Sequence, residues 1–437
     1  MLVNSIDRFH LLERSRSEVL DNYDRTPTES FYSKKLASAW SRARRASAYR
    51  SLGEFNNPEF RALPVTSKDQ LKAAPAKFMT ADMDSAAKYY ETTGTTGLPT
   101  PTPRHAADTI WNVVSVAEAW RRLFTANERV LIMVPSDVVP VADMIVGVCE
   151  YLGIPHVRAY PFATGICDWD RIIGMWEALQ PTTIFVAPGV ALQFSRLLRQ
   201  RGALGEMNRS VSKLMLLGEV STPAFRGRLG QWWDAHAFDA SYGSTETGTL
   251  AATCRNDRLH LLSATNYFEL ALGDEVVPLP ESGTGRLIVT PLNMSARALL
   301  RLDTGDSVTV SSGCGCGSAN PVVVVLGRSS DALTVRQVGL DIRGVEEVVY
   351  GATEATGYLI EADASGQFAR LLLERDVFWD RATESETVER LQRRSRDTLH
   401  VEWDEVLFVN QLPAQTKSGA SQKSWKRSNF RVLETSR

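Results

Sequence analysis

The stretch Arg129-Val130-Leu131-Ile132-Met133-Val134, followed by a helical pattern over 141–152 and a second apolar run at 156–160, decides the fold. The alternation then repeats. Apolar runs at 183–187, 213–217 and 237–240 read as strands, with helical patterns at 168–179, 190–201 and 223–233 between them. Asp168 opens one helix as an N-cap, and Gly202 follows the end of another. Strands and helices alternating at this spacing predict an α/β fold with a mostly parallel sheet covered by helices. Ligands of such sheets sit at the carboxyl ends of the strands, so the chemistry is expected in the loops that follow them.

The pattern changes on either side of this block. Beyond 245, the segments 260–272, 286–291, 299–310 and 322–326 are β-like with few helical signals, which predicts a small antiparallel β subdomain. From about 328 another α/β-like block runs to the end, with a charged amphipathic helix near 386–398 and a strand near 405–409. Residues 1–75 read as helical and polar, without identifiable chemistry. The expected organisation is a large core over 1–328, carrying a β-rich subdomain at about 246–326, and a small α+β domain over 329–437.

Composition narrows the function. The 437 residues hold 49 Lys+Arg and 51 Asp+Glu, a net charge of −2, which argues against a protein built chiefly to bind nucleic acid. Hydrophobic residues at 43% with 23% charged are ordinary for a globular protein. The most apolar region, 130–154, is broken by Asp137, Pro140, Asp143 and Glu150, so no membrane span is expected. Asp7, Arg8, Glu13 and Arg14 stand where a signal peptide carries its apolar stretch. Five cysteines, an odd number, are no disulfide framework and point to a reducing, cytoplasmic setting. Cys149 and Cys167 read as core.

The densest chemical signal is Tyr89-Tyr90-Glu91-Thr92-Thr93-Gly94-Thr95-Thr96-Gly97-Leu98-Pro99-Thr100. Four threonines and two glycines in six residues make a poor helix and a poor core strand. Such a loop can wrap an anion with backbone N–H groups and hydroxyls; a surface turn is the alternative. It is not a Walker loop, since no Gly-Lys-Ser/Thr follows. Three further segments accompany it: Ser241-Tyr242-Gly243-Ser244-Thr245-Glu246, Arg301-Leu302-Asp303-Thr304-Gly305-Asp306 and Gly327-Arg328-Ser329-Ser330-Asp331.

In this order and spacing the four segments resemble the adenylate-forming superfamily of acyl-CoA synthetases, peptide-synthetase adenylation domains and luciferases. The resemblance covers about 88–350, with a weaker continuation to the end. Within the superfamily the chain is most similar to the phenylacetate–CoA ligase group, whose members are shorter and carry Thr after the loop's Pro, as at Thr100. Gly218-Glu219, before a helix starting at Pro223, agrees with that group.

The resemblance implies coupling of a carboxylate to ATP, giving acyl-AMP and pyrophosphate, then acyl transfer to CoA or a carrier thiol. Thr92, Thr93, Gly94, Thr95, Thr96 and Gly97 would hold the β/γ-phosphates. Glu246 would hold Mg²⁺, a hard cation preferring oxygen ligands. Asp306 would accept hydrogen bonds from the ribose hydroxyls, and Arg328 would add donors near ribose or phosphate. Ser241 and Tyr242 with Gly218 and Glu219 would wall the adenine, and Gly243, Ser244 and Thr245 complete the nucleotide-binding loop.

Cys254 and His260 pair with Cys314 and Cys316 of Gly313-Cys314-Gly315-Cys316-Gly317. Four such ligands suit a tetrahedral structural Zn²⁺; four reduced residues without metal are the alternative. Some relatives of phenylacetate–CoA ligase carry a similar set.

The chain also departs from the pattern. The superfamily's Ser-Gly-Lys lysine, which bridges carboxylate and α-phosphate, is replaced in Lys417-Ser418-Gly419-Ala420. An engineered Lys→Ala change, a natural replacement, and substitution by Lys417 or Lys423 all remain open, Lys423 being the better substitute. The hinge Asp-Asp is Ser330-Asp331, and the Arg-Gly that the pantetheine thiol approaches is Arg336-Gln337, with Gly339 nearby. Adenylation is therefore firmer than the acceptor.

Segments 134–139, 187–190 and 218–220, small and apolar, suit an aryl acid, and His105 is either polar lining or a helix-start residue. The expected partners are a small aromatic carboxylic acid and CoA or a separate carrier protein, with no nucleic acid and no membrane; a homodimer is left open. Two rival readings stand beside the thiol ligase: an adenylating enzyme with a nitrogen or other acceptor, and a catalytically degenerate nucleotide-binding protein.

Overall fold

The computed structural model describes residues 3–82, 84–92, 99–327, 333–413 and 429–433. Its helices and strands begin with α1 (Ile6–Asp21), α2 (Glu29–Ala43), α3 (Asn57–Ala62), α4 (Lys68–Ala73), β1 (Lys88–Glu91), β2 (Pro101–Arg104), α5 (Ala106–Trp120), β3 (Val130–Met133), α6 (Val141–Leu152) and β4 (His156–Arg158). Next come α7 (Trp169–Leu179), β5 (Thr183–Val186), α8 (Pro188–Gln200), α9 (Leu204–Met207), β6 (Lys213–Leu216), α10 (Pro223–Trp233) and β7 (His236–Asp239). An all-β run follows: β8 (Ser241–Ser244), β9 (Gly248–Thr253), β10 (Leu259–Leu261), β11 (Asn266–Leu272), β12 (Glu275–Pro278), β13 (Gly283–Pro291), β14 (Leu302–Ser311) and β15 (Val322–Gly327). The chain closes with β16 (Leu333–Val335), β17 (Val338–Leu340), α11 (Ile342–Ala352), β18 (Gly357–Asp363), β19 (Ala369–Glu374), α12 (Glu384–Leu399), β20 (Glu405–Val409) and β21 (Phe430–Leu433).

Two compact units emerge: Met1–Arg158 with Asp239–Leu326, and Ala159–Phe238 with Gly327–Arg437. In the first, β3 and β4 pair in parallel, and an eight-stranded sheet runs in the order β12-β11-β13-β14-β15-β10-β9-β8. The β region is thus larger than the sequence suggests and starts at Ser241, because the short polar strand β8 pairs back on β9. Its core includes Leu261, Phe268, Leu287, Val289 and Leu302, and helix α2 packs Leu36, Ala39, Trp40 and Ala43 into the same cluster. Burial on this scale, at roughly 25 cal/mol per Å² of apolar surface, is what holds the polar N-terminal helices down. In the second unit β5 and β6 pair in parallel with β7 beside β6, and a four-stranded sheet runs β20-β19-β18-β21. This is the α/β architecture read from the sequence. Asp168 does cap α7, its Oδ1 accepting from Arg171 N at 2.8 Å, and Gly202 has φ +66°.

Within the second unit α10 and α11 cap one another. Glu346 accepts from Thr222 N at 3.0 Å, and Glu347 from Ala224 N at 3.2 Å, both at the start of α10. In return Arg228 donates to the carbonyls of Tyr350, Thr353 and Ala355 at the end of α11. Helix ends leave N–H and C=O groups without intrahelical partners, and these contacts satisfy them. The cysteine reading needs one correction: Cys149 is buried core, but Cys167 is only partly buried in the turn before α7. Among the described residues no helix is long and apolar enough to cross a membrane.

Candidate nucleotide site and cysteine–histidine cluster

Strands β1 and β2 form an antiparallel hairpin with Glu91 opposite Pro101. Its neck is pinned by Thr92 N donating to Thr100 O at 3.2 Å and Thr100 N donating to Thr92 Oγ1 at 2.9 Å. Thr92 therefore joins the two strands at the end of the hairpin. Thr93, Gly94, Thr95, Thr96 and Gly97 lie outside the described residues.

The second segment is built on β8 and β9. Their register shifts between Tyr242 and Gly243, and a Cβ at Gly243 would lie 2.3 Å from the Gly248 carbonyl oxygen, so only glycine fits there. The loop that follows is held by Ser244 Oγ and Thr247 Oγ1 at 3.0 Å, and by Thr249 N donating to Asn112 Oδ1 at 2.8 Å. Arg104, at the end of β2, donates to the carbonyls of Thr245 at 2.8 Å and Glu246 at 3.2 Å. Hairpin and loop are thus one construction. Glu246 is 7% exposed. Burial pushes its carboxyl up, but Lys68, hydrogen bonds from Ser244 and its own backbone, and the Arg297 guanidinium together hold it below the usual carboxylate range. It is a buried carboxylate kept ionised, an oxygen donor suited to a hard cation. From β14, Asp306 meets the same region: Tyr242 Oη donates to its Oδ2 at 2.8 Å.

In the second unit Gly218 follows β6 with φ +90°, a conformation glycine adopts readily, and Glu219 Oε2 accepts from Gly189 N at 3.4 Å. Arg328, Ser330, Asp331, Lys417, Ala420 and Lys423 lie outside the described residues. Arg336 and Gln337 form the two-residue turn of the β16–β17 hairpin with φ +48° and +69°, both left-handed. His105 is a helix-start residue: it precedes α5, its N–H donates to Asp108 Oδ2 at 3.0 Å, and its ring Nδ1 lies 2.9 Å from Ser295 Oγ.

Cys254, His260, Cys314 and Cys316 converge, their ligand atoms all within 4.8 Å of one another. The Cys254 and Cys314 sulfurs are 3.6 Å apart, and Cys316 Sγ lies 3.4 Å from His260 Nε2. With Zn–S of about 2.3 Å and Zn–N of about 2.0–2.1 Å, a tetrahedron has edges of roughly 3.8 and 3.5 Å, so the donor set fits that ion. His260 Nδ1 lies 2.7 Å from Asn320 O, which turns Nε2 toward the sulfurs. Asn256 N and Ser318 N each donate to a cysteine sulfur two residues back, at 3.4 Å.

No protein-family model matches the chain. A phenylacetate-coenzyme A ligase from Thermus thermophilus is 26% identical over 305 residues, 67% of this chain and 66% of that protein, just under two thirds of its length. Among solved structures, 2-hydroxyisobutyryl-CoA ligase in the postadenylation state with 2-HIB-AMP is similar at TM-score 0.74 and 15% identity, covering 97% of this chain and 89% of that one. O-succinylbenzoate coenzyme A synthetase from Bacillus subtilis with AMP gives TM-score 0.51 and 16% identity over 81% and 71% of the two chains. The fold is that of the AMP-forming ligases. The chain shares its fold with these CoA ligases.

Three residues of this region escaped the sequence reading. Lys68 comes from a segment without evident chemistry, yet its charge acts on Glu246. Arg104 and Arg297 are buried at 5% and 0% exposure. The only signal was arginine within apolar or strand-like runs, which is rarely buried without a partner to serve.

Proposed function

We propose that the protein couples a carboxylic acid to ATP, releasing pyrophosphate and forming an acyl-adenylate, and then transfers the acyl group to CoA or a carrier thiol. The observation that carries this reading is the Tyr242–Asp306 hydrogen bond. It ties the strand leading to ionised Glu246 to the strand bearing Asp306, while Arg104 ties the β1–β2 hairpin to the Thr245 and Glu246 carbonyls. In this reading Asp306 takes the ribose hydroxyls, and Thr92 and the loop take the β/γ-phosphates. Ser241 and Tyr242 line the adenine. Glu246 holds Mg²⁺, which when bound offsets phosphate charge as the α-phosphorus is attacked. The small, apolar composition of the sequence at 134–139, 187–190 and 218–220 favours an aryl acid. Pyrophosphate release measured over a panel of aryl and alkyl acids tests this: aryl acids should lead, and no release with any acid would remove the reading.

The Cys254–His260–Cys314–Cys316 set is proposed to hold a structural Zn²⁺. Four filled positions leave none open for water. Residues 329–437 are proposed to move as a lid about Ser330-Asp331, presenting different groups in the two half-reactions. A Ser330→Pro change, which fixes φ, should then impair one half-reaction more than the other. A non-thiol acceptor is the second reading. It is favoured by Gln337, which puts a side chain at a left-handed turn position where the family pattern has glycine. Acceptor trials with CoA and with amines after adenylate formation separate the two.

A further inference from the structure

Arg297 is fully buried, and its Nη1 donates to Pro101 O at 2.6 Å. Among the described residues its Nε and Nη2 have no partner. These two nitrogens form one edge of the guanidinium, the edge that binds a phosphate or carboxylate with two parallel hydrogen bonds. Glu246 attracts the group without bonding to that edge, while burial and the nearby Arg104 cation push its pKa down to about 9, which leaves it protonated at neutral pH. A second orphan lies on the same hairpin: Thr100, one residue before Pro101, is 1% exposed and its Oγ1 has no partner among the described residues.

The placement is imposed by the backbone. Asp108 Oδ1 accepts from Ser295 N and Oγ at 2.7 Å each, and Oδ2 accepts from Ala296 N at 3.1 Å. Ala296 O in turn accepts from Thr80 N at 3.0 Å and Ala81 N at 3.1 Å. A buried cation with unmade hydrogen bonds destabilises a fold. Here it is fixed against the β1–β2 hairpin at Pro101, its bidentate edge unspent.

We propose that the Nε/Nη2 edge of Arg297 is a fork for the terminal phosphates of the nucleotide, and for the pyrophosphate that leaves, with Thr100 Oγ1 as an accessory donor. This rests on the adenylation reading and adds to it the residue that distinguishes triphosphate and pyrophosphate from the monophosphate. The fork contacts only phosphates beyond the α-phosphate, so AMP does not sense it.

The test is calorimetric titration of the full chain with magnesium pyrophosphate, MgATP and AMP, for the wild type, Arg297→Met and Arg297→Lys. Arg297→Met should weaken pyrophosphate and ATP by about 10-fold or more, leave AMP within about 2-fold, and not lower the thermal midpoint, since it removes an unsatisfied buried cation. Arg297→Lys, which keeps the charge but loses the planar edge, should fall between. Unchanged pyrophosphate and ATP affinity in Arg297→Met, or a parallel loss of AMP, overturns the fork. If Arg297→Met does not fold, Arg297→Lys decides by the same comparison of pyrophosphate with AMP. A wild type that binds none of the three probes refutes the nucleotide reading itself, whereas normal wild-type binding with indifferent variants refutes only the fork.

Discussion

Tyr242 and Asp306 are hydrogen-bonded at 2.8 Å although their strands, β8 and β14, stand four places apart in the sheet order. Neighbouring strands lie about 4.8 Å apart, so a flat sheet would separate these two by roughly 19 Å. The sheet must therefore curl until its β8 edge faces β14. The candidate site lies where that curl brings distant strands together.

Asp306→Ala should weaken nucleotide binding by about 1.5–3 kcal/mol, the worth of hydrogen bonds to a charged acceptor. Tyr242→Phe removes only the phenolic donor and should cost about 1 kcal/mol or less. Calorimetry with AMP checks both, and equal affinities across the three proteins would take Asp306 out of the ribose site.

Zinc analysis of protein purified without chelator should give about one ion per chain. Cys314→Ser should release it and lower the thermal midpoint, because the paired segments around 254–260 and 314–316 then lose their shared anchor. A metal-free wild type with an unchanged melting curve contradicts the assignment.

Burial, with a smaller contribution from Glu219, pushes the Glu346 carboxyl up to about 7, above its ordinary 4.5. The fold thus favours the protonated acid. Its contribution is complete below about pH 4.5 and is lost as pH rises through 7, on the order of 3 kcal/mol across that window. Glu346→Gln keeps an acceptor for Thr222 N–H and carries no charge. It should therefore melt higher than the wild type at pH 8 and alike at pH 4.5, and parallel melting curves at both pH values would count against the assignment.

Ala420→Lys should raise the adenylation rate on the order of 10²-fold, since a cation between the acid and the α-phosphate stabilises a transition state in which two anions approach. Single-turnover pyrophosphate release with saturating ATP and an accepted aryl acid reads it. Equal rates would point to Lys417 or Lys423, each then tested as Ala.

Strand–helix alternation over 129–240 was legible because buried parallel strands are short, continuous apolar runs, and their helices carry plain start and stop signals at Asp168 and Gly202. Glu246 and Asp306 were legible through the motifs around them. The curl was not, since it depends on pairings between strands far apart in sequence, and β8 is a polar strand whose Gly243 bulge weakens its pattern. Lys68 and Arg297 were hidden for a related reason. Each acts on Glu246 from a segment whose local sequence encodes a helix or a turn, and only tertiary packing gives it a charge to serve.

The mutual capping of α10 and α11 makes their contact all-or-none in its hydrogen bonds. Parting them uncovers Thr222 N, Ala224 N and three carbonyls at once, along with the Arg228 guanidinium and the Glu346 carboxyl. Intermediate angles would lose most of these bonds before gaining any replacement, so the pair should snap between docked and free. Alkaline conditions, which charge Glu346, would loosen the docked pair.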